Sequence, residues 1–187
     1  MKYFYGLFLL GLMLSCSEEI ETTGPDNLFA LTDTISTSII EYDLNEDRLS
    51  AVEYSNELSF AQQRAYDQIN VLFLSDPTTI SQNFDNAVFD IGLKVKDISN
   101  IPVYEGGQAF QKAVTNLLQF YNDELTNGFI KILPLLEKGA EERSRDEEYR
   151  VIDYDEQFAI KEVVFFDAIA VEQEKFAQAN NFRTQEL

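Results

Sequence analysis

The feature that most constrains this chain is an apolar stripe of helical spacing. Phe110, Val114, Leu117, Tyr121, Leu125, Phe129, Ile132 and Leu136 recur at steps of three and four. Residues so spaced stay on one side of an α-helix, here for more than about six turns. A helix of that kind must bury its apolar side against other elements. Two residues interrupt the pattern: Gly128 lowers helix propensity, and Pro134 cannot donate to the carbonyl of Ile130. Both predict a kink near the end of the segment rather than a straight rod. A mid-helix proline can also open a carbonyl for a ligand, although a bend that wraps the helix round its neighbours is the simpler account.

The flanking sequence supplies partners of the same type. Ala51, Ser55, Leu58, Ala61, Ala65, Ile69 and Leu72 mark a helix from about Ser50 to Leu74, ended by Asp76-Pro77. Ile80, Phe84, Ala87, Ile91, Val95 and Ile98 mark a second, stopped by Asn100-Ile101-Pro102. Gly139 closes the central stripe, and Ser144-Arg145-Asp146-Glu147 has the S-x-x-E form of a capping box. Beyond it, Phe158, Phe165, Ile169 and Phe176 interleave with Ala159, Val163, Phe166 and Ala170. That gives an apolar face too broad for one partner helix. No alternating segment of strand length occurs, and the hairpin dipeptide Asn127-Gly128 sits inside a helical stripe. The expectation is all-α: an antiparallel four-helix bundle over residues 50–182, followed by a tail at 183–187.

The N-terminal part is of another kind. Lys2, the apolar run Phe4 to Leu14 and the small residue Ser15 have the layout of a secretory signal over residues 1–15. The run is too short to span a membrane, which takes about 20 apolar residues. Cys16 follows Ser15 and is the only cysteine, so its thiol has no partner within the chain. Leu12-Met13-Leu14-Ser15-Cys16 resembles the lipobox of bacterial lipoproteins, which implies cleavage between Ser15 and Cys16 and lipidation of Cys16. Ser17 in place of Asp after the cysteine resembles lipoproteins released to the outer membrane, and Ser17-Glu18-Glu19 further resembles the short acidic signal that sends Bacteroidota lipoproteins to the cell surface. The polar stretch with Thr22-Thr23-Gly24-Pro25 reads as a flexible start to a tether covering 16–49. Within it, Leu28, Leu31, Ile35, Ile39 and Tyr42 predict a short helix over 27–42. Asp43, Asn45 and Asp47 have the spacing that opens a calcium loop, but Arg48 and Tyr54 stand where such a loop needs Gly and Glu. A solvated turn, with Asp47 or Ser50 capping the next helix, is the better account.

Charge and missing residue types narrow the function. The formal charge is −19, and loss of Lys2 with the signal takes it to −20. Such a surface repels phosphate backbones, so no nucleic acid partner is expected. It also disfavours adsorption on anionic lipid and leaves membrane attachment to the N-terminal lipid. The chain has no histidine. That removes the usual general base, the Ser-His-Asp and Cys-His arrangements, and the Glu-x-x-His motifs of di-metal bundles. Asp153, Asp155 and Glu156 are close in sequence but read as the solvated start of a helix, favoured by its dipole. Gly106-Gly107 precedes no Lys-Ser or Lys-Thr, so no phosphate loop is present. No catalytic residue, metal or cofactor is expected. Tyr54, Tyr66, Tyr121, Tyr149 and Tyr154 are the hydroxyls to inspect, either framing a small-ligand pocket or sitting at helix edges with the hydroxyl in water.

Two stretches, Phe110 to Asn122 (FQKAVTNLLQFYN) and Glu172 to Phe182 (EQEKFAQANNF), resemble a family of uncharacterised helical surface lipoproteins of Bacteroidota and Leptospira. The resemblance covers roughly residues 50 to 182. Relatives tend to carry a basic pair and a histidine before the final Asn-Phe, where this chain has Gln178-Ala179-Asn180. It implies a fold and a location and transfers no functional residue. The expected function is therefore a lipid-anchored, non-enzymatic interaction module facing an envelope or host protein. The alternative is a bundle that holds a small molecule between its helices near Pro134.

Overall fold

The computed structural model describes residues 49–184. The proposed signal and lipidation residues Ser15, Cys16, Ser17, Glu18 and Glu19 lie outside them, as do the predicted helix at 27–42 and the Asp43, Asn45, Asp47 turn. The described residues are all-helical, with no strand among them. The α-helices are α1 (Ala51–Phe73), α2 (Ile80–Asn100), α3 (Gln108–Asp123), α4 (Leu133–Leu136) and α5 (Arg145–Ala179). No helix among the described residues is long and apolar enough to cross a membrane.

Helix ends follow from local chemistry. Ser50 Oγ accepts from Glu53 N at 3.2 Å while Glu53 Oε2 accepts from Ser50 N at 2.8 Å, a closed capping box for α1. Ser144 and Glu147 repeat it at α5. Between α1 and α2, Asp76 Oδ1 accepts from the backbone of Thr78 and Thr79, which folds the Asp76-Pro77 turn. At the end of α2, Gln111 Nε2 reaches across from α3 and donates to the carbonyls of Ile98 (2.8 Å) and Ile101 (3.0 Å). The Tyr54 hydroxyl lies within hydrogen-bonding range of Gln111 Oε1 (3.2 Å) and the Gly107 carbonyl (3.1 Å). One buried polar knot thus ties α1, the end of α2 and the start of α3. It also explains the paired glycines. Gly106 has φ +77°, and a Cβ on Gly107 would lie 2.5 Å from the Tyr54 ring.

Helix α3 packs against each of α1, α2 and α5, and α1 also lies along α2. The stripes read from the sequence form the core: Leu58, Ala65, Ile69 and Leu72 from α1, Phe84, Ala87 and Ile91 from α2, and Val114, Leu117 and Tyr121 from α3 are all buried. Aromatic rings bind the elements, with Phe73 against Phe158 (5.0 Å between centroids) and Phe129 (5.6 Å), and Tyr54 against Phe176 (5.4 Å).

Three expectations are corrected. The stripe from Phe110 to Leu136 is not one helix: α3 ends at Asp123, a π-helical turn occupies Glu124–Gly128, a 3₁₀ turn Phe129–Lys131, and α4 follows. Pro134 stands in the first turn of α4, where its missing N–H breaks no bond, so the departure from α-geometry comes ten residues earlier than Pro134. The apolar side of α5 is narrower in its burial than expected. Phe158, Ile169, Phe176 and Ala177 are buried and Phe165 and Phe166 partly so, but Ala159, Val163 and Ala170 are exposed.

Candidate functional site

The π-helical turn borders a cleft on the surface. Its defining bond runs from the Phe129 N–H to the Glu124 carbonyl, five residues back, so the turn holds one residue more than an α-turn. The turn begins at Glu124, whose side chain reaches α5. There the Glu124 carboxylate accepts from Lys161 Nζ at 2.7 Å and from the Tyr154 hydroxyl at 3.3 Å. Gly128 lies beneath this group. A Cβ there would meet Glu124 Oε2 and come within 3.0 Å of the Tyr154 ring, so a larger residue would have to displace the Glu124 carboxylate from its partners, with no unusual φ involved. Burial, followed by the neighbouring Glu124 charge, pushes the Tyr154 hydroxyl well above its ordinary pKa, which keeps it a donor.

The cleft beside this group has a volume of about 700 Å³ and contacts Asp123, Lys131, Arg150 and Asp153 in addition to Tyr154 and Lys161. Lys131 and Arg150 make no ion pair among the described residues. A second depression between α1 and α2, beside Arg64, Asp67 and Lys94, holds about 280 Å³. The core itself leaves no buried side-chain nitrogen or oxygen without a hydrogen-bond partner among the described residues.

The tyrosines fall into distinct classes. Tyr54 and Tyr121 are fully buried and Tyr154 partly so, each with its hydroxyl bonded to protein. Tyr66 is partly buried and packs edge-on to Phe166, whereas Tyr149 is exposed and accepts from Arg145. The hydroxyls therefore frame no common pocket; only Tyr154 reaches the cleft. Tyr121 donates to Glu162 at 2.6 Å. Burial raises the pKa of Glu162; the bond from Tyr121 opposes that shift and Asp155 adds to it.

The acidic triplet also sits differently from its reading in sequence. Asp146, Glu147 and Glu148 occupy the first turn of α5, while Asp153, Asp155 and Glu156 come more than a turn later. The dipole argument therefore applies to the former three. Among the described residues no group of three His, Cys, Asp or Glu is placed to hold a metal ion.

The outward side of α5 is a second surface feature. Ile152, Ile160, Val163, Val164 and Val171 are 45%, 63%, 52%, 64% and 52% exposed, at the spacing of one helical side. Asp153, Glu156, Asp167 and Glu174 lie on that same side. Sequence reasoning assigned Val163 to the core and left Glu124, Lys161 and the cleft unread. The signal for the cleft was the turn-forming pair Asn127-Gly128 inside a helical stripe. Comparisons with protein-family models, with curated proteins and with solved structures find no match to this chain.

Proposed function

We propose that this protein is a lipid-anchored outer-membrane lipoprotein, displayed at the cell surface, whose helical domain is a non-enzymatic interaction module. In this reading Cys16 carries the lipid, residues 16–49 form the tether, and α1, α2, α3 and α5 make an antiparallel four-helix bundle. The resemblance of the Leu12–Cys16 and Ser17–Glu19 segments to a lipobox and an export signal supports the location, and that of Phe110–Asn122 and Glu172–Phe182 supports kinship with uncharacterised helical surface lipoproteins. The observation that carries the interaction role is the exposed apolar side of α5, on a helix of 35 residues.

Two experiments test it. Cys16→Ser should release the protein from the membrane fraction and abolish labelling by a fatty-acid probe; labelling that survives removes the lipoprotein reading. Glu18→Ala with Glu19→Ala should reduce cleavage by external protease while membrane association persists. Unchanged cleavage would make the acidic pair mere spacer and favour a periplasm-facing protein.

A second reading, capture of a small molecule, is favoured by the cleft volume, which exceeds the roughly 300 Å³ at the lower end of ligand pockets. Its mixed charge suits a small polar ligand. A ligand-induced rise in thermal stability that Arg150→Ala abolishes would establish it.

A further inference from the structure

The outward side of α5, from Ile152 to Glu174, combines exposed aliphatic side chains with charge of one sign. Ile152, Ile160, Val163, Val164 and Val171 form its apolar row. The charged residues on that side are Asp153, Glu156, Asp167 and Glu174. The one basic residue of this stretch, Lys161, is paired with Glu124. At 1.5 Å per residue the surface is about 33 Å long, a length that a helix of about 20 residues covers.

These properties select the occupant. A second copy of the chain would bring the same acidic face, with Asp153, Glu156, Asp167 and Glu174, against itself and add to the negative charge there, and an anionic membrane would meet the same repulsion. We infer that this face receives a basic amphipathic helix from a partner protein, its aliphatic row lying along Ile160, Val164 and Val171 and its Lys or Arg residues flanking towards Glu156, Asp167 and Glu174. Binding of an amphipathic helix along an apolar strip is a recurring recognition mode, and opposite charge at the margins fixes its register. The inference rests on the interaction-module reading and specifies its surface and partner chemistry.

The purified full chain is titrated calorimetrically with a synthetic helical peptide carrying leucines at three- and four-residue spacing and lysines elsewhere, and with its glutamate counterpart. The lysine peptide should bind saturably at one per chain, and the glutamate peptide should not bind. The decisive variant is Ile160→Asp with Val164→Asp, which adds negative charge while removing apolar surface. It should weaken binding by about tenfold or more, since loss of central apolar contacts typically costs that much. Affinity that is unchanged or higher would mean attraction by charge alone and would overturn the proposal. Phe89→Asp, at an exposed position on α2, should leave binding unchanged, and circular dichroism checks that each variant keeps its helix. Concentration-dependent dimers of the chain alone, lost in the double variant, would also overturn it. In cells, a photo-crosslinker at Val164 separates the two levels. Cross-linking without lysine-peptide binding rejects the basic-helix partner and keeps the interaction module, whereas absence of any cross-link rejects the module and the inference with it.

Discussion

The hydroxyl of Tyr121 donates to Glu162 at 2.6 Å, joining α3 to α5 within a contact otherwise built from aromatic rings. Burial raises the Glu162 pKa above its ordinary 4.5, so its ionised form is disfavoured in the folded state. Stability on this account is fullest below pH 4.5 and declines as pH rises through the elevated pKa. Glu162→Gln, which keeps an acceptor for Tyr121 and removes the charge, should be more stable than the parent at pH 7 and flatten that decline. Tyr121→Phe should cost about 1 to 3 kcal/mol, because it leaves a partly buried carboxylate without its donor. Urea unfolding across pH 4 to 8 measures both.

Gln111 serves three partners at once, the carbonyls of Ile98 and Ile101 and the hydroxyl of Tyr54. Gln111→Leu keeps the volume and strands the Ile101 carbonyl, while the Ile98 carbonyl keeps the Ile101 N–H (3.3 Å) and the Tyr54 hydroxyl keeps the Gly107 carbonyl (3.1 Å), with an expected loss of about 1 to 3 kcal/mol. Tyr54→Phe should cost about 1 kcal/mol. Because the residues share a bond, the double variant should lose less than the two separate losses added together, a coupling that a double-mutant cycle by chemical denaturation reads directly.

Gly128 and Gly139 provide a matched pair. A Cβ at Gly128 meets Glu124 and Tyr154, and one at Gly139 meets nothing within 4 Å. Gly128→Ala should destabilise by about 1 to 3 kcal/mol through overpacking, despite alanine's better helix propensity. Gly139→Ala should change stability little. Thermal melts of the two single variants test the contrast.

At the start of α5, a hydrogen bond from Lys138 leads the effects that lower the pKa of Glu147 to about 2, with the Ser144 backbone N–H next. A lowered pKa gives the opposite pH dependence to Glu162: the contribution is present above pH 4.5 and is lost as pH falls towards 2. Ser144→Ala should cost about 1 kcal/mol by removing the cap on the Glu147 N–H. Lys138→Met should reduce the loss of stability on acidification between pH 4.5 and 2, measured by far-ultraviolet circular dichroism.

Much of the helical layout was legible because it follows from local rules. Ser50, Asp76-Pro77, Ile101-Pro102 and Ser144 mark ends whose chemistry lies within a few residues. Core stripes were equally plain, since burial selects one side of each helix. The π-turn was not legible, for a geometric reason. A wide turn at Glu124–Gly128 and a tight one at Phe129–Lys131 depart from α-geometry in opposite senses, so Leu125, Phe129 and Ile132 remain buried as they would on an unbroken helix. Periodicity reports the side a residue faces and not the hydrogen bonds that put it there. Nor could it reveal the Glu124–Lys161 pair, whose members are 37 positions apart, or the exposure of Val163, which depends on how many neighbours α5 acquires.

The wide turn makes this stretch permissive in length. It holds one residue more than an ordinary helical turn, so a chain one residue shorter between Glu124 and Gly128 would run on as α-helix with Phe129 close to its present position. Thr126 and Asn127 are exposed, so removing either takes nothing from the core. The same loss within α3 has no slack to absorb it. A single-codon deletion at Asn116 would rotate the side chains that follow by about 100° and carry Leu117 and Tyr121 off the buried side. Deletion is thus tolerable at Thr126 and disruptive ten residues earlier in the same helical stripe.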